Sequence, residues 1–236
     1  MVTGLRLQFR FMPIGNLRET SLHAALKAWY ARPGDELEAK VAGYFVDLRR
    51  GDILIEIQTR NFSALKRKLS RLLEDYTVQL VHPVAQEKYI VRQGKKGQTL
   101  SRRKSPKRGQ AVALFDELVS IAELAAHPRF SLEIVLTREE EISREGRGGS
   151  WRRRGWKVVD RRLLDVLGRV EFATLSDYAT FLPTTLPATF TTGDLAEHSG
   201  HPLYLAQKMV YCLRRMGALE VVGKRRNAAL YTRVSK

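Results

Sequence analysis

One cysteine, Cys212, is all that 236 residues contain. That excludes an intrachain disulfide and any zinc site built on paired thiolates. Five scattered histidines argue against a histidine zinc site as well. Long apolar runs are also missing: no stretch approaches the roughly 20 residues that cross a bilayer, and the N-terminus lacks a basic, apolar and cleavage-site leader pattern. The expectation is a soluble, cytoplasmic protein with no membrane partner. Acid is scarce beside base, with 25 Asp and Glu against 41 Lys and Arg, a formal charge of +16. A balance of that sign favours a polyanionic partner.

The positive charge is clustered. Arg92 to Arg108 carries eight Lys and Arg and no acid, and Arg144 to Arg162 interleaves Trp151 and Trp156 with Arg152, Arg153, Arg154, Lys157, Arg161 and Arg162. Both read as basic loops that can track phosphates, the indoles offering planes for unpaired bases. A solvated linker with two incidental tryptophans is the plainer alternative.

A 44% hydrophobic content is that of a folded protein with an ordinary core. Thr20 and Ser21 offer an N-cap to a helix in which Leu22, Ala25, Leu26 and Trp29 recur at helical spacing before Pro33-Gly34. Leu37 to Val41 alternates. A hairpin follows over Tyr44 to Gln58, with Arg50-Gly51 as the expected turn. Asn61 to Tyr76 is a second helix, with Leu65, Leu69, Leu72 and Leu73 inward and Lys66, Arg67, Lys68 and Arg71 outward. Thr77 to Val84 gives another strand. Gln110 to Ala126 reads as a further helix and Phe130 to Thr137 as a strand.

The chemistry lies on the hairpin. Side chains alternate along a strand, so Glu56 and Gln58 share a face with Leu54. If Leu48 faces Ile53, Asp47 is diagonal to Glu56; a two-residue slip sets the acids directly opposite. Either register keeps them together, and a one-residue slip parts them. Two converging carboxylates call for a cation, and Mg²⁺ takes one or two carboxylates with the rest of its shell from water and phosphate. The plain alternative is a pair of hairpin acids bridged to nearby arginines.

This α-β-β-β-α-β order, with an acid on the second strand and Glu56-Ile57-Gln58 on the third, resembles the PD-(D/E)xK nuclease superfamily. The CoiA-like branch is the nearest pattern: His23 and Lys27 four apart on the first helix, Glu38 on the first strand, then Asp47, then the Glu-x-Gln tripeptide and a Ser63-containing helix start. The resemblance covers Thr20 to Val84. It implies a restriction-endonuclease-like core of α+β and α/β character in which Asp47 and Glu56 hold Mg²⁺, or Mn²⁺. Gln58 would position water, and His23 or Lys27 would touch the scissile phosphate. Gln58 stands where the family has lysine and carries no charge; Lys27 is expected to restore it.

Near the C-terminus, Phe190 to Gly200 reads as a capped helix and turn, Pro202 to Met216 as a longer helix, and Leu219 to Thr232 as a basic hairpin. That order resembles a winged helix-turn-helix. Tyr204, Gln207, Lys208, Tyr211 and Arg215 would face a major groove, while Lys224, Arg225, Arg226 and Asn227 would form the wing tip against phosphates. Cys212 reads as a small core filler.

The expected organisation is a nuclease-like domain at 1–142, a basic linker at 143–165 and a winged helix at 166–236. The expected activity is metal-dependent hydrolysis of DNA, with double-stranded DNA as partner. The alternatives are a DNA-binding or regulatory protein whose nuclease-like core does not cut, and an RNA-binding or processing protein.

Overall fold

The computed structural model describes residues 20–146 and 155–234. Trp151, Arg152, Arg153 and Arg154 of the expected basic linker lie outside the described residues. The architecture is mixed α/β, built on one large mixed sheet with helices on both sides.

The elements run α1 (Ser21–Tyr30), β1 (Glu36–Val41), β2 (Tyr44–Arg50), β3 (Ile53–Ile57), α2 (Lys66–Leu72), β4 (Thr77–Gln93), β5 (Thr99–Lys104), α3 (Phe115–Leu118), α4 (Ala122–Ala125), β6 (Phe130–Glu145) and β7 (Trp156–Phe172). A second set follows: α5 (Leu175–Ala179), β8 (Thr189–Phe190), α6 (Thr192–Ser199), α7 (Leu203–Arg215), β9 (Leu219–Arg225) and β10 (Ala228–Arg233). The large sheet has the order β1-β2-β3-β4-β6-β7, with β5 also paired to β4; a small sheet runs β8-β10-β9.

β3 is Ile-Leu-Ile-Glu-Ile and is covered on both faces, which is why it reads as a nearly continuous apolar run. Leu54, on one face, joins Leu69 and Leu72 of α2 in the larger core. Ile55 and Ile57, on the other, pack with Leu22 and Leu26 of α1. β3 runs parallel to β4, and β4 parallel to β6, while β1, β2 and β7 pair antiparallel. Thr20 caps α1 by accepting from the His23 N–H. The same end is fastened from far away: Ser21 N and Oγ donate to the Asp160 carboxylate of β7 at 3.1 and 2.6 Å, across 139 residues of sequence.

Several expectations are corrected. The basic loop at Arg92 to Arg108 is largely a hairpin, because β4 continues to Gln93 and β5 turns back along it. Gly109 then returns beneath β4; a Cβ there would stand 2.7 Å from the Ala85 carbonyl oxygen. Of the expected linker at 143–165, residues 143–145 lie in β6 and 156–165 in β7, zipped together by pairs such as Arg144 with Lys157. The helix expected over Gln110 to Ala126 is broken into a 3-10 turn, α3 and α4. Its middle is Val119-Ser120-Ile121, where the Ser120 hydroxyl donates to the Glu117 carbonyl. Trp29, expected in the core, is 46% exposed, and Tyr30 takes the buried place.

The second set shares the larger core. Met209, Val210 and Leu213 of α7 belong to the same cluster as Leu114, Phe115 and Leu118, and Cys212 among them is fully buried. Burial pushes its thiol up to about 12, which keeps it protonated at neutral pH.

Candidate active site

The β2–β3 ladder pairs Arg50 with Ile53, Arg49 with Leu54 and Leu48 with Ile55. The turn is therefore Gly51-Asp52, with Gly51 at φ +57°, instead of Arg50-Gly51. One step further this register sets Asp47 opposite Glu56. The paired ladder ends there, and the two carboxylates occupy the opening.

Asp47 reaches toward α1. Its Oδ2 accepts from the Ile57 N–H at 2.8 Å and from His23 Nε2 at 3.2 Å. A carboxylate can only accept, so Nε2 carries the proton. Glu56 reaches toward α2, where Lys68 Nζ stands 2.6 Å from Oε2. The ammonium closes over that oxygen as an ion pair in a buried setting. Lys68 also donates to the Phe45 carbonyl at 2.5 Å.

Asp47 is 9% exposed and Glu56 8%, and their environments drive them apart. Burial works to raise Asp47, but the His23 hydrogen bond and charge, the Ile57 N–H and the Lys68 charge outweigh it and hold the carboxyl below its usual range. Burial dominates at Glu56; the neighbouring Asp47 charge adds to it, Lys68 opposes it, and the carboxyl is pushed up to about 7. One acid of the pair is thus ionised at neutral pH, and the other is poised to hold or release a proton.

The other expected residues fall elsewhere. Lys27 pairs with Glu38 of β1. Gln58 turns its amide away, donating to the carbonyls of Arg60 and Asn61 at 2.7 and 3.2 Å. Its backbone carbonyl accepts from His82 Nδ1 at 2.7 Å, and burial pushes that imidazole down and keeps it neutral. The cation at the acids is Lys68. Sequence reading placed Lys68 outward with its basic neighbours. The 3- and 4-residue spacing from Leu65 and to Leu72 was the signal that it borders the inner face.

The pair suits a divalent ion in number, since Mg²⁺ needs one or two carboxylates, with Lys68 standing at the Glu56 carboxylate where an ion would sit. Among the described residues no three or more His, Cys, Asp or Glu gather as a ligand set.

A sequence family described as a domain of unknown function, DUF8091, matches residues 20–173. The chain belongs to this family. It is also 33% identical over 221 residues to an uncharacterized protein of Treponema pallidum (strain Nichols), covering 93% of this chain and 87% of that one. No solved structure matches. The DUF8091 span begins at the α1 cap and ends one residue beyond β7. Asp47, Glu56, Lys68 and His23 all lie inside it.

The C-terminal residues expected to contact DNA lie beyond the DUF8091 span. Lys208 and Arg215 are held by Asp116 and Glu123 of α3 and α4, at 2.8 and 2.9 Å. Arg225 pairs with Asp194, in the α6 capping box, and reaches Thr191 Oγ1 at 3.3 Å. Tyr204, Gln207 and Tyr211 are exposed along α7, and Lys224, Arg226 and Asn227 are exposed at the β9–β10 turn, where Arg226 has φ +56°. No helix among the described residues is long and apolar enough to cross a membrane.

Proposed function

We propose that this protein is a cytoplasmic, metal-dependent nuclease acting on DNA, with a PD-(D/E)xK-like core and a C-terminal winged helix that holds the duplex. The observation that carries the reading is the register that brings Asp47 and Glu56 together at the end of the β2–β3 ladder, with Lys68 against them. The sheet order β1-β2-β3-β4, with a helix on each face, agrees with such a core.

Asp47 and Glu56 would hold Mg²⁺ or Mn²⁺, which supplies Lewis-acid polarisation of the phosphodiester and a more acidic bound water. His23 orients Asp47 through Oδ2. With its carboxyl near 7, Glu56 changes charge in the working pH range. Lys68, released from Glu56, is the cation within reach of a scissile phosphate and supplies the charge that Gln58 lacks. In the winged helix, α5, β8, α6, α7 and the β9–β10 hairpin follow the order of that module. With Lys208 and Arg215 tied to α3 and α4, groove contact falls to Tyr204, Gln207 and Tyr211, and phosphate contact to Lys224 and Arg226.

The test is incubation of plasmid and single-stranded DNA with the protein in Mg²⁺, Mn²⁺ or chelator, beside Asp47→Ala and Glu56→Ala. Metal-dependent cutting lost in both variants supports the reading. A second reading, a DNA-binding protein that does not cut, is favoured by the Gln58 amide being occupied by loop carbonyls. Salt-sensitive binding with no cutting under any metal would select it.

A further inference from the structure

A separate polar cavity of about 240 Å³ opens at the other end of α1, between that helix, the β2–β3 turn region and the sheet. Its floor is Glu133 of β6, 5% exposed, whose Oε2 accepts from Tyr30 Oη at 2.8 Å and Gln79 Nε2 at 2.9 Å. Those bonds fix the carboxylate, and its Oε1 pairs with Arg169 Nη1 at 3.4 Å. Arg169 is half-exposed and lies over the Trp29 indole, 5.4 Å from its centroid. Arg32 is exposed at the rim. Arg50 is a fixed wall, its guanidinium held by Asp35 and the Tyr30 carbonyl.

These groups ask for a ligand of two characters. The guanidinium groups of Arg32 and Arg169 match an anion with several oxygens, and phosphate meets an arginine fork best. A buried carboxylate on the floor repels a plain anion, so a ligand that brings its own donor to Glu133 Oε1 would take the place of Arg169 there and free that guanidinium for the anion. The indole at the mouth, 46% exposed, offers a flat apolar face once Arg169 turns from it to the anion. A phosphate, an N–H-bearing ring and a stacking plane occur together in a mononucleotide whose base carries an exocyclic amino group.

We propose that this cavity is a nucleotide site: the base stacks on Trp29 and donates to Glu133, and the phosphate lies between Arg32 and Arg169. It is separate from the acids, whose helix partner His23 lies seven positions earlier on α1 than Tyr30. The site bears on the nuclease reading only in one respect. If that reading holds, the phosphate could belong to the 5′ end of a strand instead of a free nucleotide.

The experiment is calorimetric titration of the full chain with GMP, with UMP and inorganic phosphate as comparisons, alongside Arg32→Ala, Arg169→Ala, Trp29→Ala and Asp47→Ala. GMP should bind more tightly than UMP or phosphate. Each of the first three changes should weaken it about tenfold, and Asp47→Ala should leave it unchanged. Trp29 fluorescence should be quenched on binding, a signal absent from Trp29→Phe. Displacement of GMP by a 5′-phosphorylated oligonucleotide, but not by its 5′-hydroxyl form, identifies a strand end; displacement by neither identifies the free nucleotide. No GMP binding at millimolar concentration, or equal binding by all three cavity variants, overturns the proposal even if metal-dependent cutting is observed. GMP binding without cutting keeps the site and removes the nuclease.

Discussion

The end of the β2–β3 ladder and the face of α7 each place charged side chains in contact across elements, but they do so in different media. Asp47, Glu56 and Lys68 meet where water is nearly excluded. Lys208 with Asp116, and Arg215 with Glu123, meet at the surface. Removing ions from water costs several kcal/mol apiece, whereas exposed pairs contribute roughly 0–1 kcal/mol. A buried cluster of ions is costly as a structural device, and that cost is the physical support for the proposed chemistry. The α7 pairs point only to orientation, because Met209, Val210 and Leu213 do the holding.

The strongest test of that contrast is catalytic. Asp47→Asn and Glu56→Gln keep the shape of the opening and should each lower metal-dependent plasmid cleavage by ~10³, about 4 kcal/mol in activation free energy. Both variants should still bind DNA in a mobility-shift titration. Full activity in either one would return the acids to a structural role. Next in size, Met209→Ala leaves a cavity in the shared core and should lower unfolding free energy by about 2–5 kcal/mol in urea. A loss under 1 kcal/mol would mean that the surface pairs hold α7 after all.

The pH dependence of stability sharpens the buried side. The Glu56 carboxyl is raised from the ordinary 4.5 to about 7, so between those values the folded chain keeps a proton that the unfolded chain releases. Its contribution is complete below pH 4.5 and is lost as pH rises through 7. Urea unfolding should therefore show stability falling across that window, with a flatter profile in Glu56→Gln. An identical profile would refute the raised carboxyl. The smallest effect belongs to the surface: Lys208→Ala and Arg215→Ala should each move the urea midpoint least of all these changes, and less in high salt.

Local signals made much of this region legible. The Thr20 cap, the apolar run of β3 and the punctuation by glycine located α1 through β4, and alternation put Asp47 and Glu56 on a common hairpin. Pairing register is not a local property. The turn moved by one residue to suit Gly51, and only that fixed which acid faces which. The cation was missed because Lys66, Arg67 and Lys68 look alike in sequence, and only the packing of α2 turns Lys68 inward. The long strands escaped for a related reason. Arg92 to Arg108 and the described parts of 143–165 are polar, and they form strands by pairing β5 with β4 and β7 with β6, with charged contacts such as Lys88 to Glu141 across the β4–β6 ladder and Arg102 of β5 reaching Glu140 of β6.

The tether from Ser21 to Asp160 carries a consequence for synthesis. A chain emerging from the ribosome exposes α1 and its histidine early, yet the strand that anchors them arrives last among the sheet's members. Fragments ending before β7 would leave that helix end loose beside the acids. The family match, ending just past Phe172, takes in both ends of that tether.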